Sequence, residues 1–318
     1  MGPGYLSGMA DLDVLVVGQI ARDLVLLVDE VPEAGGSAPV RERRELLGGK
    51  GANQAVAATQ LGARAGLLGV VGDDEVGERL LAGARADGID VETVVRRPGT
   101  RTGLIVDLLD ADGRWRYLED LPEATLLTPA DVAGAAGALR AARAVLVQLQ
   151  QPGAAALAAV RTARSADRLV VLDGAPSDPD DADELLAGAD VWRADAREVA
   201  LLTGDAPRDA AAGLAAGRAL RRRGPALVAV EVPGEGNAFV WPDDEVFVPL
   251  SVTPTVDDTG AGDAFVAALA VGLLDGEPAE RAARYAVAAA GATVGHPGGR
   301  PALTRAAVAE QLARIPAR

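Results

Sequence analysis

Cysteine is absent from the 318 residues. This excludes a disulfide framework, a thiol nucleophile, an iron–sulfur cluster and any thiolate zinc site. Histidine occurs once, as His296 in the loop-like Gly295-His296-Pro297-Gly298, so it has no His or Cys partner for metal binding. No run of about 18 uncharged apolar residues is present, which argues against a membrane-spanning helix. The first ten residues lack the basic start and apolar stretch of a secretory signal and read as a loose tail, so a cytoplasmic location is expected. Basic residues are also in short supply. With 46 Asp and Glu against 31 Lys and Arg, the net charge is −15, which disfavours a nucleic-acid or anionic-membrane partner.

Two scarcities are sharper than these averages. Lys50 is the only lysine, the other basic residues all being arginine, and Asn53 and Asn237 are the only asparagines. Such usage matches the codon bias of a GC-rich genome, which makes Lys50 and Asn53 improbable residues. Both lie in the short stretch Gly48-Gly49-Lys50-Gly51-Ala52-Asn53.

What is there is globular. The chain is 49% hydrophobic and 24% charged, and its length allows about two domains or one large α/β domain. Short apolar runs at 13–18, 65–72, 144–150, 168–174 and 226–232 read as buried strands. Helical stretches are expected at 52–61, 74–86, 153–165, 207–223 and 261–274. Strands alternating with helices imply a doubly wound, mostly parallel sheet. Two strand pairs, 23–31 with 38–47 and 102–109 with 114–119, break the alternation and suggest a small β-sheet lid within about 23–47 and 102–119. The expected organisation is a tail over 1–11 and one domain over 12–318.

The strongest local signal is Asp257-Asp258-Thr259-Gly260-Ala261-Gly262-Asp263, which opens a long Ala-rich helix. Small residues at a helix start leave free backbone N–H groups under the positive end of the helix dipole, a setting suited to a phosphate. Asp263 falls in the first turn. A carboxylate is favoured there for capping alone, but beside a bound phosphate it also suits the role of base toward an attacking hydroxyl. In the Gly48 to Asn53 stretch, glycines allow close backbone approach while Lys50 and Asn53 supply donors for a hydroxyl-rich ligand. It is not a Walker A loop, because Lys50 is followed by Gly51. Neither GxSxG nor a GxGxxG after the first strand is found, so a serine hydrolase and dinucleotide binding at that turn are unsupported.

Taken together these residues resemble the PfkB carbohydrate kinase family, in its ribokinase-like branch, from Asp13 to about Pro301. One family signature is matched by Gly48 to Ala55 continuing to Leu61-Gly62-Ala63, the other by Asp257 to Asp263 with Ala264-Phe265. Val71-Gly72-Asp73-Asp74, Leu127 to Val132, Leu201 to Gly204 and Pro297 to Pro301 follow in the family's order. The resemblance implies a three-layer αβα core with a β-lid and ATP-dependent phosphorylation of a sugar hydroxymethyl group, ribose foremost. By the same likeness Asp263 is the base, the Gly260, Ala261 and Gly262 backbone stabilises the transferred phosphoryl group, and Asp257 binds the sugar with Asp23, Gly49, Lys50 and Asn53. It further implies Mg²⁺ organised near Glu198, potassium as activator near the second signature and the C-terminal Gly-Pro segment, and a homodimer through the lid.

Departures concentrate in the expected site. A sugar-binding Asn two positions before Asp23 is replaced by Ala21, and a sugar-contacting Glu by Gln150. The first residue of the NxxE motif is Asp195, which brings a second carboxylate toward anionic phosphate unless metal or a nearby Arg193 or Arg197 offsets it. A Thr-x-Gly-x-x-Gly strand end in the nucleotide half reads Val232-Pro233-Gly234-Glu235-Gly236-Asn237. Another sugar, a nucleoside, or a catalytically weak ligand-binding regulator are the alternatives these changes suggest.

Overall fold

A computed structural model describes residues 12–251, 259–295 and 303–316. Asp257, His296 and the segment from Pro297 to Pro301 lie outside the described residues.

The first buried run forms β1 (Val14–Val17), with Val14 and Val16 on one face of the sheet and Leu15 and Val17 on the other. Each face packs against its own core, which is why the run is apolar at every position. β1 lies in an eight-stranded sheet with β4 (Ala65–Leu68), β9 (Ala144–Gln148), β10 (Leu169–Asp173), β11 (Val191–Ala194), β12 (Leu227–Val232), β13 (Gly236–Trp241) and β14 (Asp244–Pro249). The order is β14-β13-β12-β11-β10-β9-β1-β4. The strands from β12 to β4 are parallel, and β13 and β14 are added as an antiparallel hairpin at one edge. Helices Lys50–Gln60, Glu75–Ala86, Ala261–Leu274, Ala279–Thr293 and Arg305–Arg314 cover one face, and Pro129–Gly134, Ala136–Ala141, Gly153–Arg164, Ala182–Gly188, Ala196–Thr203 and Ala210–Arg221 the other. This is the expected three-layer α/β core.

The two expected strand pairs merge into one lid. β2 (Ala21–Val28) pairs antiparallel with β3 (Val40–Gly48) and parallel with β7 (Leu104–Leu109), which in turn pairs with β8 (Trp115–Asp120). The expected single strand over 65–72 is broken at Gly69. A side chain there would meet the Gly18 carbonyl oxygen at 2.6 Å and Ile20 at 2.7 Å. The chain therefore leaves the main sheet, and β5 (Val70–Gly72) pairs instead with β6 (Val95–Arg97). The helix expected from 207 begins at Ala210, where the Asp209 carboxylate accepts the Ala212 N–H.

From β1, the last strand but one of the sheet, the chain runs outward to β4 at the edge and then resumes on the other side of β1 with β9. In open α/β sheets such a reversal opens a crevice beyond the carboxyl ends of the strands. Gln19 after β1, Gln150 after β9, Asp173 ending β10, Arg193 in β11 and Glu231 in β12 all line the cavity found at that end.

Candidate active site

Three glycines set the entrance to the helix Lys50–Gln60. Gly48 leaves room for the Asp23 carboxylate, which lies about 1.9 Å from where a Cβ would stand. Gly49 has φ 86°, and a Cβ there would meet the Gln19 carbonyl oxygen at 2.8 Å. Gly51 faces the backbone of Gly18 at 2.5 Å from the same imagined atom. The motif thus lets one turn press against β1 and Asp23, and the helix that follows aims Asn53 and Gln54 inward.

Their target is Asp263. The helix Ala261–Leu274 begins after Gly260, whose φ of 73° turns the chain into it, and Asp263 stands in the first turn with 6% exposure. Its carboxylate accepts from Asn53 Nδ2 at 3.2 Å and from Gln54 Nε2 at 3.3 Å. Gln54 Nε2 also donates to Asp173 Oδ2 at 2.9 Å. Burial and the negative charge of Asp173 push the Asp263 carboxyl up to about 7, against the opposing pull of Lys50, Asn53 and Gln54. Asp23 is likewise raised to about 7 by burial and by the charges of Asp263 and Asp107, while the Gly49 N–H favours its ionised form. Asp23 Oδ1 is buried without a hydrogen-bond partner among the described residues.

Positive charge comes from two side chains. Burial works against the Lys50 ammonium, but Asp173, Glu198 and Asp263 more than offset it, so Lys50 is held above its usual range and stays charged. Arg193 donates to Asp173 Oδ1 at 3.2 Å and to Glu231 Oε2 at 2.9 Å, and its guanidinium lies 5.9 Å from the centre of the Phe265 ring. Gly262 is what admits it, since a Cβ at that position would meet the guanidinium at 3.0 Å.

Two cavities meet here. One of about 420 Å³ lies under the lid and is walled by Asp23, Gly49, Lys50, Asn53, Gln150 and Asp263 among others. A second of about 300 Å³ is walled by Val232, Gly234, Asn237, Leu250, Phe265 and Val287 among others. Arg193, Glu231, Ala261 and Gly262 belong to both. Asp23, Gly49, Lys50, Asn53 and Gln150 fall in the first cavity and Val232 and Gly234 in the second, while Asp195, expected on the nucleotide side, lines the first. Asp195 reaches the first cavity, but its Oδ1 accepts the Glu198 N–H while Glu198 Oε2 accepts the Asp195 N–H, each at 2.8 Å. The Asp that replaces Asn thus serves as a helix cap. Glu198 stands behind Lys50, with Oε1 3.9 Å from Nζ. Asp173, Gln54, Glu231 and the lid residues Asp107, Trp115, Tyr117 and Glu119 escaped the sequence reading. Only Asp173 carried a signal there, as an acid ending a buried strand next to a glycine.

Among the described residues no three acidic or histidine side chains converge as a ready-made metal cage. Asp173, Glu198 and Glu231 instead surround Lys50 and Arg193. That donor set fits Mg²⁺, which keeps most of its waters and takes one or two carboxylates together with substrate phosphates.

A buried carboxylate, a glycine-rich helix start and two cavities that share residues suit a phosphotransferase that acts on an alcohol. The chain belongs to the pfkB family of carbohydrate kinases, whose profile matches residues 11–305. It is 30% identical over 304 residues to a ribokinase of Bacillus subtilis, covering 94% of this chain and 99% of that one. It is 34% identical over 301 residues to an ATP-dependent ribose-1-phosphate kinase of Halopiger xanaduensis, covering 94% and 97%. The chain also spans 52% of a bifunctional ribokinase/ribose-5-phosphate isomerase A of Fructilactobacillus sanfranciscensis at 30% identity. In fold it is similar to an Arabidopsis thaliana ribokinase solved with ribose and ATP, with a TM-score of 0.79, 26% identity and 95% and 98% coverage. It is thus a ribokinase-type sugar kinase by family.

Proposed function

We propose that this kinase transfers the γ-phosphoryl group of ATP to the hydroxymethyl group of a pentose, ribose foremost, giving ribose 5-phosphate and ADP. The observation that carries this reading is Asp263, which lines the cavity under the lid next to Gly262, a residue of both cavities, and is fixed by Asn53 and Gln54. A protein that only bound sugar has no need of that base.

In the proposed step the sugar lies under the lid with hydroxyls on Asp23, Gly49, Lys50 and Asn53, and ATP occupies the cavity of Val232 and Gly234. Asp263 takes the hydroxymethyl proton as the oxygen–phosphorus bond forms and the bond to the β-phosphate bridging oxygen breaks. Backbone N–H groups at the Gly260 to Gly262 helix start face the developing charge, with Lys50 and Arg193 beside them. Mg²⁺, held through Asp173, Glu198 or Glu231, would neutralise phosphate charge. The potassium expected near the second signature falls at Asp257 and Pro297 to Pro301, outside the described residues. A lid-mediated homodimer is supported by exposed Val40 and Leu118 on its outer strands, neither of which lines the cavity under the lid.

The test is ADP release from Mg-ATP against pentoses, hexoses, deoxysugars and nucleosides, with and without potassium. Ribose-dependent release supports the assignment. Release with another sugar alone makes Ala21 and Gln150 the determinants of a different specificity, and binding without turnover would leave a regulator.

A further inference from the structure

Charge is distributed unevenly along the cavity under the lid. Its two cations, Lys50 at the start of the helix Lys50–Gln60 and Arg193 in β11, both belong to the core side and not to the lid. The lid contributes Asp23, Asp107 and Glu119, together with the rings of Trp115 and Tyr117 and the aliphatic Val25 and Ile105. The lid's arginines are turned elsewhere: Arg22 pairs with Glu45, Arg41 with Asp29, and Arg114 with Asp110. None of them lines the cavity among the described residues. Asp107 is the most telling of the lid acids. It sits in β7 with 4% exposure, where an aliphatic residue would seal a sheet face more cheaply, and its charge is felt by Asp23. Trp115 and Tyr117 lie with ring centres 4.6 Å apart and planes tilted by 35°, forming two walls of a partial aromatic box.

Carboxylates and ring faces together attract N–H donors and positive charge, and the same carboxylates repel an anion. Resting on the phosphoryl-transfer reading above, we infer that the lid wall of Asp107, Glu119, Trp115 and Tyr117 selects a hydroxymethyl sugar whose far end carries a nitrogen donor and rejects one whose far end carries a phosphate. Asp107 is the residue that sets this preference. The nitrogen can come from an amino substituent on the sugar ring or from the amino group of an attached base. The acidic lid separates this chain's expected substrate from the ribose 1-phosphate of one of its relatives' names.

The experiment compares 2-amino-2-deoxyribose, cytidine, ribose and ribose 1-phosphate with the full-length protein. Binding is read by calorimetry in the presence of a non-hydrolysable ATP analogue, and kcat/KM by ADP release. The expected order keeps the nitrogen-bearing compounds level with ribose or above it and places ribose 1-phosphate about tenfold or more below them. Which of the two leads tells amino sugar from nucleoside. Asp107→Asn, nearly the same size and still polar, should shrink the gap between the nitrogen compound and ribose 1-phosphate, and Asp107→Leu should close it further. The inference is overturned if ribose 1-phosphate binds the wild type as well as the nitrogen compounds do, or if the Asp107 variants shift all four ligands equally. The calorimetric order stands even where no ligand is turned over, so failure of the kinase reading and failure of this one give different results.

Discussion

As the proposed base, Asp263 answers two opposing demands. A base must be ionised to accept a proton, yet the burial that shields the reaction from water and the charge of Asp173 both favour its protonated form. Asn53, Gln54 and Lys50 resolve the conflict only in part, which leaves the carboxyl near 7. Replacing Asp263 by Asn should lower kcat by about 10²–10⁴-fold, the usual worth of a general base, with the affinities for sugar and ATP largely kept, as single-turnover and calorimetric measurements would show. For the wild type, kcat/KM should rise with pH up to about 7 and level off above it, because only the ionised carboxylate takes the proton. Stability should move the opposite way. Asp23 and Asp263 bind protons more tightly folded, near 7, than at their ordinary value of 3.8, so their contribution is full below about 3.8 and is lost as pH rises through 7. The unliganded protein's unfolding temperature should therefore fall between pH 4 and 7, and Asp263→Asn should flatten that fall. A wild-type curve that rises across this window would contradict the assignment. At this scale the sequence showed Asp263, Lys50 and Asn53 well, since rarity and motif marked them. It did not show Gln54 or Asp173, because a buried Gln and a strand-ending Asp look ordinary until the fold brings positions more than 100 residues apart within 3 Å.

The elements that carry these residues are joined by close backbone contact. Gly51 lies inside a helix, where alanine is intrinsically better by about 1 kcal/mol, yet a Cβ there would stand 2.5 Å from the Gly18 carbonyl carbon. Gly51→Ala should then destabilise the protein by about 1–3 kcal/mol, the typical cost of overpacking, in a denaturant titration. A gain in stability would mean that the β1 turn and this helix are not pressed together. The lid has one side-chain link to the catalytic turn among the described hydrogen bonds, between the Tyr117 hydroxyl on β8 and the Thr259 hydroxyl just before Gly260. Tyr117→Phe should raise the sugar KM about fivefold, as for one lost hydrogen bond, with a smaller change in kcat. Strand and helix positions near β1, β9, β10 and β12 were legible because buried parallel strands are uniformly apolar. β11, interrupted by Arg193, and the β13–β14 hairpin were not, since charged or glycine-rich strands lack that pattern. The helices Ala279–Thr293 and Arg305–Arg314 were missed in an alanine-rich background that blurs periodicity.

For the whole molecule, the sheet order and lid position follow from which segments are apolar on one face or on both, but the number of copies does not. Of the six large apolar residues most exposed among those described, Val40 and Leu118 lie on the lid's two edge strands β3 and β8 and line neither of the two cavities. Leu118 is 60% exposed, and every residue of β8 is exposed. Unpaired edges with apolar side chains invite another chain, and a second lid is the partner the proposed homodimer supplies. The net charge of −15 on each protomer opposes that association over long range, whereas apolar contact does not depend on charge. Raising the salt concentration shortens the reach of the repulsion, so the dimer should tighten between low and moderate ionic strength. Light scattering at micromolar concentration should give twice the 32.3 kDa chain mass, and Leu118→Asp should return it to one while far-ultraviolet circular dichroism stays unchanged. A monomeric wild type would overturn the dimer, and a dimer that weakens as salt is added would place the contact on charged surface away from the lid.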